Sequence, residues 1–421
     1  MLLRSLKLFT AALIAALMSV ACGNGDPAPA PTGVVGSVNE SSVTVAWDMA
    51  DGVEYWLFFG PTSVAPTTTA SMQGWFGLPG GNVLLKATSP TIVTGLVNGQ
   101  SYSFSINGRS NGGPGGPGST AVVATPRIAG AQWSAAAVAG ATDLRATVYG
   151  ATTATTTTAA VNTYVAAGTG GAIYSSLDGA TWSALNFTSS SRINGASYFS
   201  TFKLVGDNGL VLVSSDATSW TTPTTGTTQN LYAIATNYYS LNVAVGANGT
   251  IITSPDGLTW SAATSSGTSR DLYAVGYSTY NGGTWLAVGA GGTIVKSSDG
   301  LTWTSVTSNT PVDLRGITYG LTSTSTGATA FAAVGDSGTV LSSVDASTWI
   351  AQSLPGANSL NAVTFGAQFV TVGEVGRIFI STDAVNWTLT TSATSHNLYA
   401  VGRGNLNYLA VGAAGTNLLS K

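Results

Sequence analysis

The sequence predicts an all-β protein in which a small N-terminal β-sandwich is followed by a seven-bladed β-propeller. Three observations support this fold class. Only 7% of the 421 residues are charged, against roughly 25% in typical soluble proteins. Glycine accounts for 53 residues and good helix formers such as Glu and Lys are scarce, which disfavours long helices. Finally, a motif ending in tryptophan recurs through most of the chain.

The composition also excludes several functional classes. The chain has 14 basic and 17 acidic residues and no charge runs, which argues against a nucleic-acid partner. One histidine, His396, and one cysteine, Cys22, are too few for a zinc site, a Cys/His nucleophile or a disulfide framework. We therefore expect neither a metal nor another cofactor.

Residues 1–22 have the pattern of an export signal. Arg4 and Lys7 form a basic head, an apolar run covers residues 8–20, and small residues follow. The apolar run is too short to be preferred as a membrane-spanning helix. We therefore predict that the protein is exported.

The end of the signal resembles the lipobox of bacterial lipoproteins, with Cys22 at the lipidated position. Ser19 stands where these lipoproteins usually have leucine. The resemblance implies that a lipid on Cys22 anchors the protein to a membrane of the cell envelope, and Gly23 after the cysteine implies the outer membrane. The alternative is a simple secretory signal and a secreted protein. Residues 23–33, rich in proline, are predicted to be a tether.

Residues 34–126 show short alternating strands between turns, a pattern typical of a β-sandwich. Trp47 and the spacing from Leu96 to Tyr102 resemble a fibronectin type III module with its tyrosine corner. This resemblance implies a spacer or a protein-binding unit. The Gly/Pro-rich loop at 111–118 is predicted to be a flexible tip.

Residues 133–421, after a linker at 127–132, contain seven copies of one repeat. Each complete copy has three strands, a Gly-x-x-Gly turn between the second and third, and a fourth strand that begins at tryptophan. Four strands in about 40 residues are typical of a propeller blade. The last copy lacks its fourth strand, whereas Trp133 starts a strand that belongs to no copy. We predict that this strand completes the last blade and closes a ring of seven; the alternative is an open β-array.

The third and fourth strands are joined by a Ser-x-Asp-x-x-x-Trp motif, which we call the Ser-Asp-Trp hairpin. It resembles the Asp-box (BNR repeat) of sialidases and of photosystem II stability and assembly factor propellers, but is one residue shorter. We expect each aspartate to accept backbone N–H groups of its own turn and each tryptophan to cover the sheet, a structural role. The residues concerned are Asp178, Trp182, Asp216, Trp220, Asp256, Trp260, Asp299, Trp303, Asp345, Trp349, Asp383 and Trp387.

One polar residue per repeat follows the apolar residue that opens the first strand. By register these residues should ring the mouth of the central channel, and we call them the mouth residues: Arg145, Asn194, Tyr232, Tyr273, Arg315, Asn361 and Tyr399. The acids outside the hairpins should lie at the same end: Asp143, Asp207, Asp271, Asp313, Asp336 and Glu374. Because arginine and tyrosine are enriched at interaction hot spots, we predict a binding surface. The alternative is that the first strands simply begin in solvent there.

Catalytic residues are not recognisable in the repeats. Sialidases use an arginine cluster with a Tyr/Glu pair, but their Arg-Ile-Pro signature is absent and the nearest string is Arg192-Ile193-Asn194. Glu374 is the single glutamate of the repeats and belongs to a tight turn. We therefore predict a non-enzymatic, envelope-anchored binding or assembly protein with a protein partner. The alternative is a sialidase-like propeller that binds glycans or hydrolyses glycosides.

Overall fold

A computed structural model describes residues 27–63, 81–154, 159–185, 187, 189–239, 241–279, 282–322, 327–356, 358–405 and 407–420. In these ranges the chain forms strands and short 3-10 turns, so the predicted all-β class is confirmed. No helix in the described ranges is long and apolar enough to cross a membrane. The chain divides into two compact units, Met1–Ile128 and Ala129–Lys421. The predicted signal and Cys22 lie outside the described residues.

The first unit is a sandwich of two antiparallel sheets. Its strands are β1 (Val35–Asn39), β2 (Ser42–Ala46), β3 (Val53–Pro61), β4 (Asn82–Ala87), β5 (Thr91–Thr94), β6 (Tyr102–Ser110) and β7 (Val122–Ala124). One sheet has the order β1-β2-β5 and the other the order β4-β3-β6-β7. Alternate side chains of both sheets, among them Val45, Leu57 and Phe104, form its core. The Tyr102 hydroxyl accepts the backbone N–H of Val97 at 3.0 Å, and this contact fixes the turn before β6.

The loop at 111–118 is not the flexible tip that its composition predicts. It folds back along β6, where the N–H of Gly116 donates to the carbonyl of Gly108 at 2.9 Å. A Cβ on Gly116 would overlap the carbonyl oxygen of Ala28, so only glycine allows the loop to approach the N-terminal segment this closely. The glycines that suggested mobility therefore serve close packing.

The segment predicted to be a tether, 23–33, is partly bound to the sandwich. Pro27 pairs with Arg109 of β6 in an antiparallel bridge. Ala28, directly after it, is only 2% exposed. Residues 23–26 lie outside the described ranges, so the described part of this segment belongs to the sandwich.

The second unit is a propeller of seven radial sheets, as predicted. Blades 1 to 3 contain β9 (Leu144–Ala151), β10 (Asn162–Gly168), β11 (Ile173–Ser176) and β12 (Ser183–Leu185); β13 (Ile193–Phe199), β14 (Thr201–Gly206) and β15 (Val211–Ser214); β16 (Leu231–Thr236), β17 (Asn242–Gly246), β18 (Ile251–Ser254) and β19 (Ser261–Ala262). Blades 4 and 5 contain β20 (Leu272–Ser278), β21 (Thr284–Gly289), β22 (Ile294–Ser297) and β23 (Thr304–Val306); β24 (Leu314–Leu321), β25 (Thr329–Gly335), β26 (Thr339–Ser343) and β27 (Ile350–Ser353). Blades 6 and 7 contain β28 (Leu360–Phe365), β29 (Phe369–Gly373), β30 (Ile378–Ser381) and β31 (Thr388–Leu389); β32 (Leu398–Arg403), β33 (Tyr408–Gly412), β34 (Thr416–Ser420) and β8 (Trp133–Ala137).

The ring closes through a strand from the start of the propeller unit. β8 pairs antiparallel with β34 over five residues, from Trp133 opposite Ser420 to Ala137 opposite Thr416. This confirms that the strand at Trp133 completes the last blade. The fourth strands of blades 1 and 3 to 6 begin one residue after their tryptophan, not at it as predicted.

Blade 2 departs from the predicted four strands. Its outermost segment forms one isolated bridge, Thr221 with Val213. In blade 3 the N–H of Ala263 continues the corresponding ladder to Ile251 at 2.9 Å. Pro223 stands at the equivalent position of blade 2, and because proline has no N–H the ladder ends there.

The Gly-x-x-Gly motifs form seven 3-10 turns, each between the second and third strand of a blade: Thr169–Gly171, Asp207–Gly209, Ala247–Gly249, Ala290–Gly292, Asp336–Gly338, Glu374–Gly376 and Ala413–Gly415. The glycine that precedes each turn is extended, so it is not required by its backbone angles. It is required because no side chain fits there. A Cβ on Gly289 would overlap the carbonyl oxygen of Asp271, and a Cβ on Gly168 would overlap the carbonyl oxygen of Asp143. These glycines hold the turns against the starts of the first strands, at one end of the propeller.

Candidate functional site

All seven mouth residues line one cavity of about 300 Å³ at the end of the channel. Arg192 and Asp271 complete its wall. Below it, a second space of about 220 Å³ is lined by the same seven residues and by the two residues that follow each of them. The register argument therefore placed these side chains together, and their role in binding stays a prediction.

A β-bulge positions each mouth residue. In blade 3, Leu231 pairs with Gly246 and Ala233 pairs with Val245, so Tyr232 between them has no partner in the ladder. The same irregularity occurs at the equivalent residue of the other six blades. Bulges re-aim side chains and are common next to functional sites. The sequence signal for them was the single polar residue between two apolar residues at the start of each first strand.

Arg145 lies between a carboxylate and an aromatic ring. Its Nη2 is 3.3 Å from Oδ2 of Asp143, and its Cζ lies 4.3 Å from the centre of the Tyr399 ring. Tyr399 belongs to β32, the first strand of blade 7, which β8 completes. The guanidinium is thus held in place by an ion pair and a cation–π contact.

Arg315 is held similarly. Nε and Nη2 reach both oxygens of Asp336, with Nη2 at 3.0 Å from Oδ2, and Cζ lies 5.6 Å from the Tyr273 ring centre. Hydrogen bonds between the two groups raise the pKa of Arg315 and lower the pKa of Asp336. Tyr232 packs beside Tyr273 with ring centres 5.7 Å apart. Burial raises the pKa of both tyrosines, so their hydroxyl groups remain neutral donors at physiological pH.

The two asparagines among the mouth residues connect neighbouring blades. Nδ2 of Asn194 donates to the carbonyl of Leu231 at 2.9 Å, and Nδ2 of Asn361 donates to the carbonyl of Leu398 at 2.8 Å. Asn194 also donates to Asp207, which pairs with Arg192 at 3.4 Å. These amides connect the blades, so the arginines and tyrosines are left as the candidate binding residues.

The acids outside the hairpins do lie at this end, but most of them have structural partners. At five blade junctions, a side-chain oxygen at the start of one blade accepts the N–H of the middle residue of the preceding 3-10 turn. We call this contact the junction clasp. The acceptors and donors are Asp143 with Ala414, Asn230 with Asn208, Asp271 with Asn248, Asp313 with Gly291, and Asn397 with Val375, at 2.8–3.3 Å.

Three further charged residues lie near the turns at this end. Glu374 accepts the N–H of Ser359 at 3.4 Å, and Arg270 donates to the carbonyl of Gly291 at 3.0 Å. Arg377 directly follows a 3-10 turn. None of the three is among the cavity-lining residues described above. Within the described ranges, no group of three or more His, Cys, Asp or Glu residues is arranged to hold a metal ion.

The Ser-Asp-Trp hairpins lie at the opposite end and hold their own turns. In blade 1, Oδ1 of Asp178 accepts the N–H groups of Ala180 and Thr181 at 2.8 and 2.7 Å and the Ser176 hydroxyl at 2.9 Å. Corresponding bonds recur in the other five hairpins. Backbone hydrogen bonds lower the pKa of Asp178 and Asp256 to about 2. These carboxylates therefore stabilise their own turns. The cavity at the channel mouth lies at the other end and is lined mainly by guanidinium groups and phenol rings.

No known protein family matches the sequence, and no curated protein matches it. Solved structures do resemble the fold. They include YCF48 bound to a D1 peptide (TM-score 0.54, 16% identity, covering 68% of this chain and 96% of that one) and YCF48 from Cyanidioschyzon merolae (0.53, 15%, 68% and 98%). The WD40 β-propeller domain of Doa1 is similar to the same degree (0.54, 11%, 70% and 97%). The shared feature is the β-propeller. At these identities the likeness concerns the fold alone.

Proposed function

We propose that the protein is a non-catalytic binding or assembly factor of the cell envelope whose propeller docks a protein partner at the channel mouth. The observation that carries the proposal is the set of seven bulges, which aim Arg145, Arg315 and three tyrosines into one cavity. Ion pairs and ring contacts hold these side chains before a ligand arrives, so little side-chain entropy is lost on binding. Pre-positioned arginines and tyrosines are the usual anchors of protein interfaces.

A similar fold in complex with a peptide supports this proposal. One of the structural neighbours is YCF48 bound to a D1 peptide, which shows that a propeller of this kind can serve as a peptide receptor. Carried over to this chain, it favours a peptide or protein partner over a small metabolite.

The envelope location is a separate part of the proposal. Cys22 would carry the lipid, and the sandwich, which resembles a fibronectin type III module, would act as a spacer. Mass spectrometry of the mature N-terminus tests the anchor. We expect a diacylglyceryl group on Cys22; an unmodified N-terminal peptide from the mature protein would contradict it.

The partner site is tested by affinity purification with crosslinking from envelope extracts. We expect the variant Arg145→Ala/Tyr273→Ala/Arg315→Ala to lose capture of the partner. The matched control is Arg270→Ala/Arg377→Ala, which removes arginines at the same end outside the cavity. Equal capture by both variants, with unchanged circular dichroism, would overturn the assignment of the mouth.

The second candidate is a glycan-binding or glycoside-hydrolysing propeller. It is favoured by the three guanidinium groups of Arg145, Arg192 and Arg315 in one cavity, since guanidinium groups bind carboxylated sugars bidentately. A panel of fluorogenic glycosides separates the candidates. Turnover that disappears in Asp271→Asn, which changes the carboxylate that lines the cavity, would replace the binding proposal by an enzymatic one.

A further inference from the structure

The hairpin end of the propeller presents aliphatic side chains to solvent. Five of the six Ser-Asp-Trp hairpins carry one exposed aliphatic residue: Leu177, Leu258, Leu301, Val344 and Val385. It stands either directly before the aspartate or two positions after it, and never at both positions. Single exposed apolar residues are common on protein surfaces, whereas neighbouring ones that form a continuous patch mark interaction sites.

Blade 3 adds two tyrosines to this end. Tyr238 and Tyr239 are 69% and 83% exposed. Beside them, the buried Asn237 accepts the N–H groups of Tyr239 and Leu241 at 2.9 Å each. The Tyr238 ring also meets Tyr277 edge-on at 6.4 Å. Asn237 therefore holds the backbone at Tyr239, and the contact with Tyr277 holds the Tyr238 ring.

Blades 3, 4 and 5 form one continuous sector at this end. The hairpin of blade 4 packs on the tyrosine turn, since a Cβ on Gly300 would lie 2.9 Å from Cδ2 of Leu241. Nζ of Lys296 in blade 4 donates to the Ser347 hydroxyl in the hairpin of blade 5 at 2.7 Å. The exposed apolar residues of these three blades thus share one surface. We call it the tyrosine sector: Tyr238, Tyr239, Leu258, Leu301 and Val344.

The tyrosine sector has an excess of negative charge. Its three hairpins contribute Asp256, Asp299 and Asp345. Two lysines among the described residues lie near them: Lys296, and the buried Lys203, whose Cε would lie 2.9 Å from a Cβ on Gly257. Hydrogen bonds from backbone N–H groups lower the pKa of all three carboxyl groups, so they stay ionised at physiological pH. The sector therefore combines exposed apolar groups with an acidic field.

We propose that the tyrosine sector is a second docking surface, which takes a protein segment with apolar side chains flanked by lysine or arginine. The tyrosines and leucines would supply buried contact area, and the carboxylates would favour a cationic partner. The same carboxylates would repel an anionic membrane. Because the channel mouth lies at the other end of each blade, this surface is independent of the proposed mouth site.

The test uses the full mature chain and three short synthetic peptides that share the same leucine and phenylalanine residues. Their flanking residues are lysine, serine or glutamate. In fluorescence anisotropy we expect the lysine-flanked peptide to bind about tenfold more tightly than the glutamate-flanked one, with a loss of affinity in raised salt. Tyr239→Ser/Leu301→Ser should weaken its binding by about tenfold.

The matched control is Leu177→Ser/Val385→Ser, which removes two exposed aliphatic residues from hairpins outside the sector and should bind as the parent does. Equal losses in both variants, or equal affinity for the three peptides, would overturn the proposal. So would binding to phosphatidylcholine vesicles, or self-association in sedimentation, that depends on Tyr239 and Leu301. The variant Arg145→Ala/Tyr273→Ala/Arg315→Ala should keep peptide binding, which separates this surface from the mouth site.

Discussion

Lys203 replaces an apolar residue at a core position of blade 2. The equivalent residues, three before the turn glycine, are Val165, Val243, Leu286, Ala332, Val370 and Leu409. Lys203 is 3% exposed, and its Nζ contacts the Thr201 hydroxyl at 2.9 Å and two carbonyl oxygens at 3.4 Å. Burial lowers its pKa from 10.5 to about 8. The Lys203 ammonium is thus surrounded by a few fixed oxygen atoms, whereas the equivalent residues of the other blades place an apolar side chain at this position.

We predict that Lys203→Met stabilises the propeller at pH 7. The pKa of Lys203 is lower in the folded state, so between about pH 8 and 10.5 the unfolded state binds more protons. The parent's free energy of unfolding should therefore rise through this window, by ~3 kcal/mol at most. Below pH 8 both states are protonated and the desolvation cost is constant. Lys203→Met should lack this rise.

Urea unfolding at a series of pH values measures the difference. Lys296→Met, which changes a lysine that reaches the next hairpin, is the control and should keep the parent's pH dependence. If the free energy of unfolding of the parent and of Lys203→Met changed equally between pH 8 and 10.5, the lowered pKa of Lys203 would not be the cause.

At the scale of the element, the 3-10 turn joins the second and third strands and also touches the next blade. Its preceding glycine packs on the carbonyl at the start of its own blade, and its middle N–H takes part in the junction clasp. The middle residue has a positive φ in every blade, even Val375 at 51°, where a β-branched residue is strained. Most turns therefore connect two blades as well as two strands.

We predict that Gly289→Ala destabilises the protein by ~3 kcal/mol or more, since its methyl group would overlap the carbonyl oxygen of Asp271. Gly276→Ala, in the same blade, is the matched control. Its Cβ would meet its nearest neighbour, the Ile317 carbonyl oxygen, at an ordinary 3.6 Å. Thermal unfolding should show a large loss for the first variant and little change for the second; similar losses would contradict the steric explanation.

The repeat period was sufficient to predict the blades, their ends and the ring of mouth residues, because strand alternation and turn glycines are local signals. It was not sufficient to predict the junction clasp. The sequence predicts only the end of the propeller at which Asp271 and Asp313 lie, because their partners Asn248 and Gly291 belong to the previous blade. The loop at 111–118 was misread for a related reason. Glycine indicates mobility or close packing equally well until the neighbouring segment, here Ala28, is known.

At the scale of the whole molecule, the strand β8 joins the start of the propeller unit to its end. It gives β34 a partner and removes the open edges that an incomplete ring would have. The junction clasp between Asp143 and Ala414 crosses the same boundary between blades 7 and 1. Closure therefore rests on backbone pairing and on a side-chain bond together.

We predict that Ala135→Pro/Ala136→Pro lowers the thermal midpoint more than Ser261→Pro/Ala262→Pro does. Neighbouring residues of an antiparallel strand alternate in hydrogen bonding, so each double change removes at least one donor. Both pairs lie in outermost strands, but only the first pair holds the ends of the ring together. Differential scanning calorimetry measures the two midpoints, and equal shifts would show that closure depends little on β8.

If Cys22 carries the proposed lipid, the bound N-terminal segment sets how far the sandwich can stand from the membrane. With Pro27 paired to Arg109, only residues 23–26 separate Cys22 from the sandwich. Four extended residues span at most about 14 Å, less than half the thickness of a bilayer's hydrocarbon core. A lipid on Cys22 would thus hold the sandwich at the level of the headgroups. A partner of the sandwich would then have to come close to the membrane or belong to it.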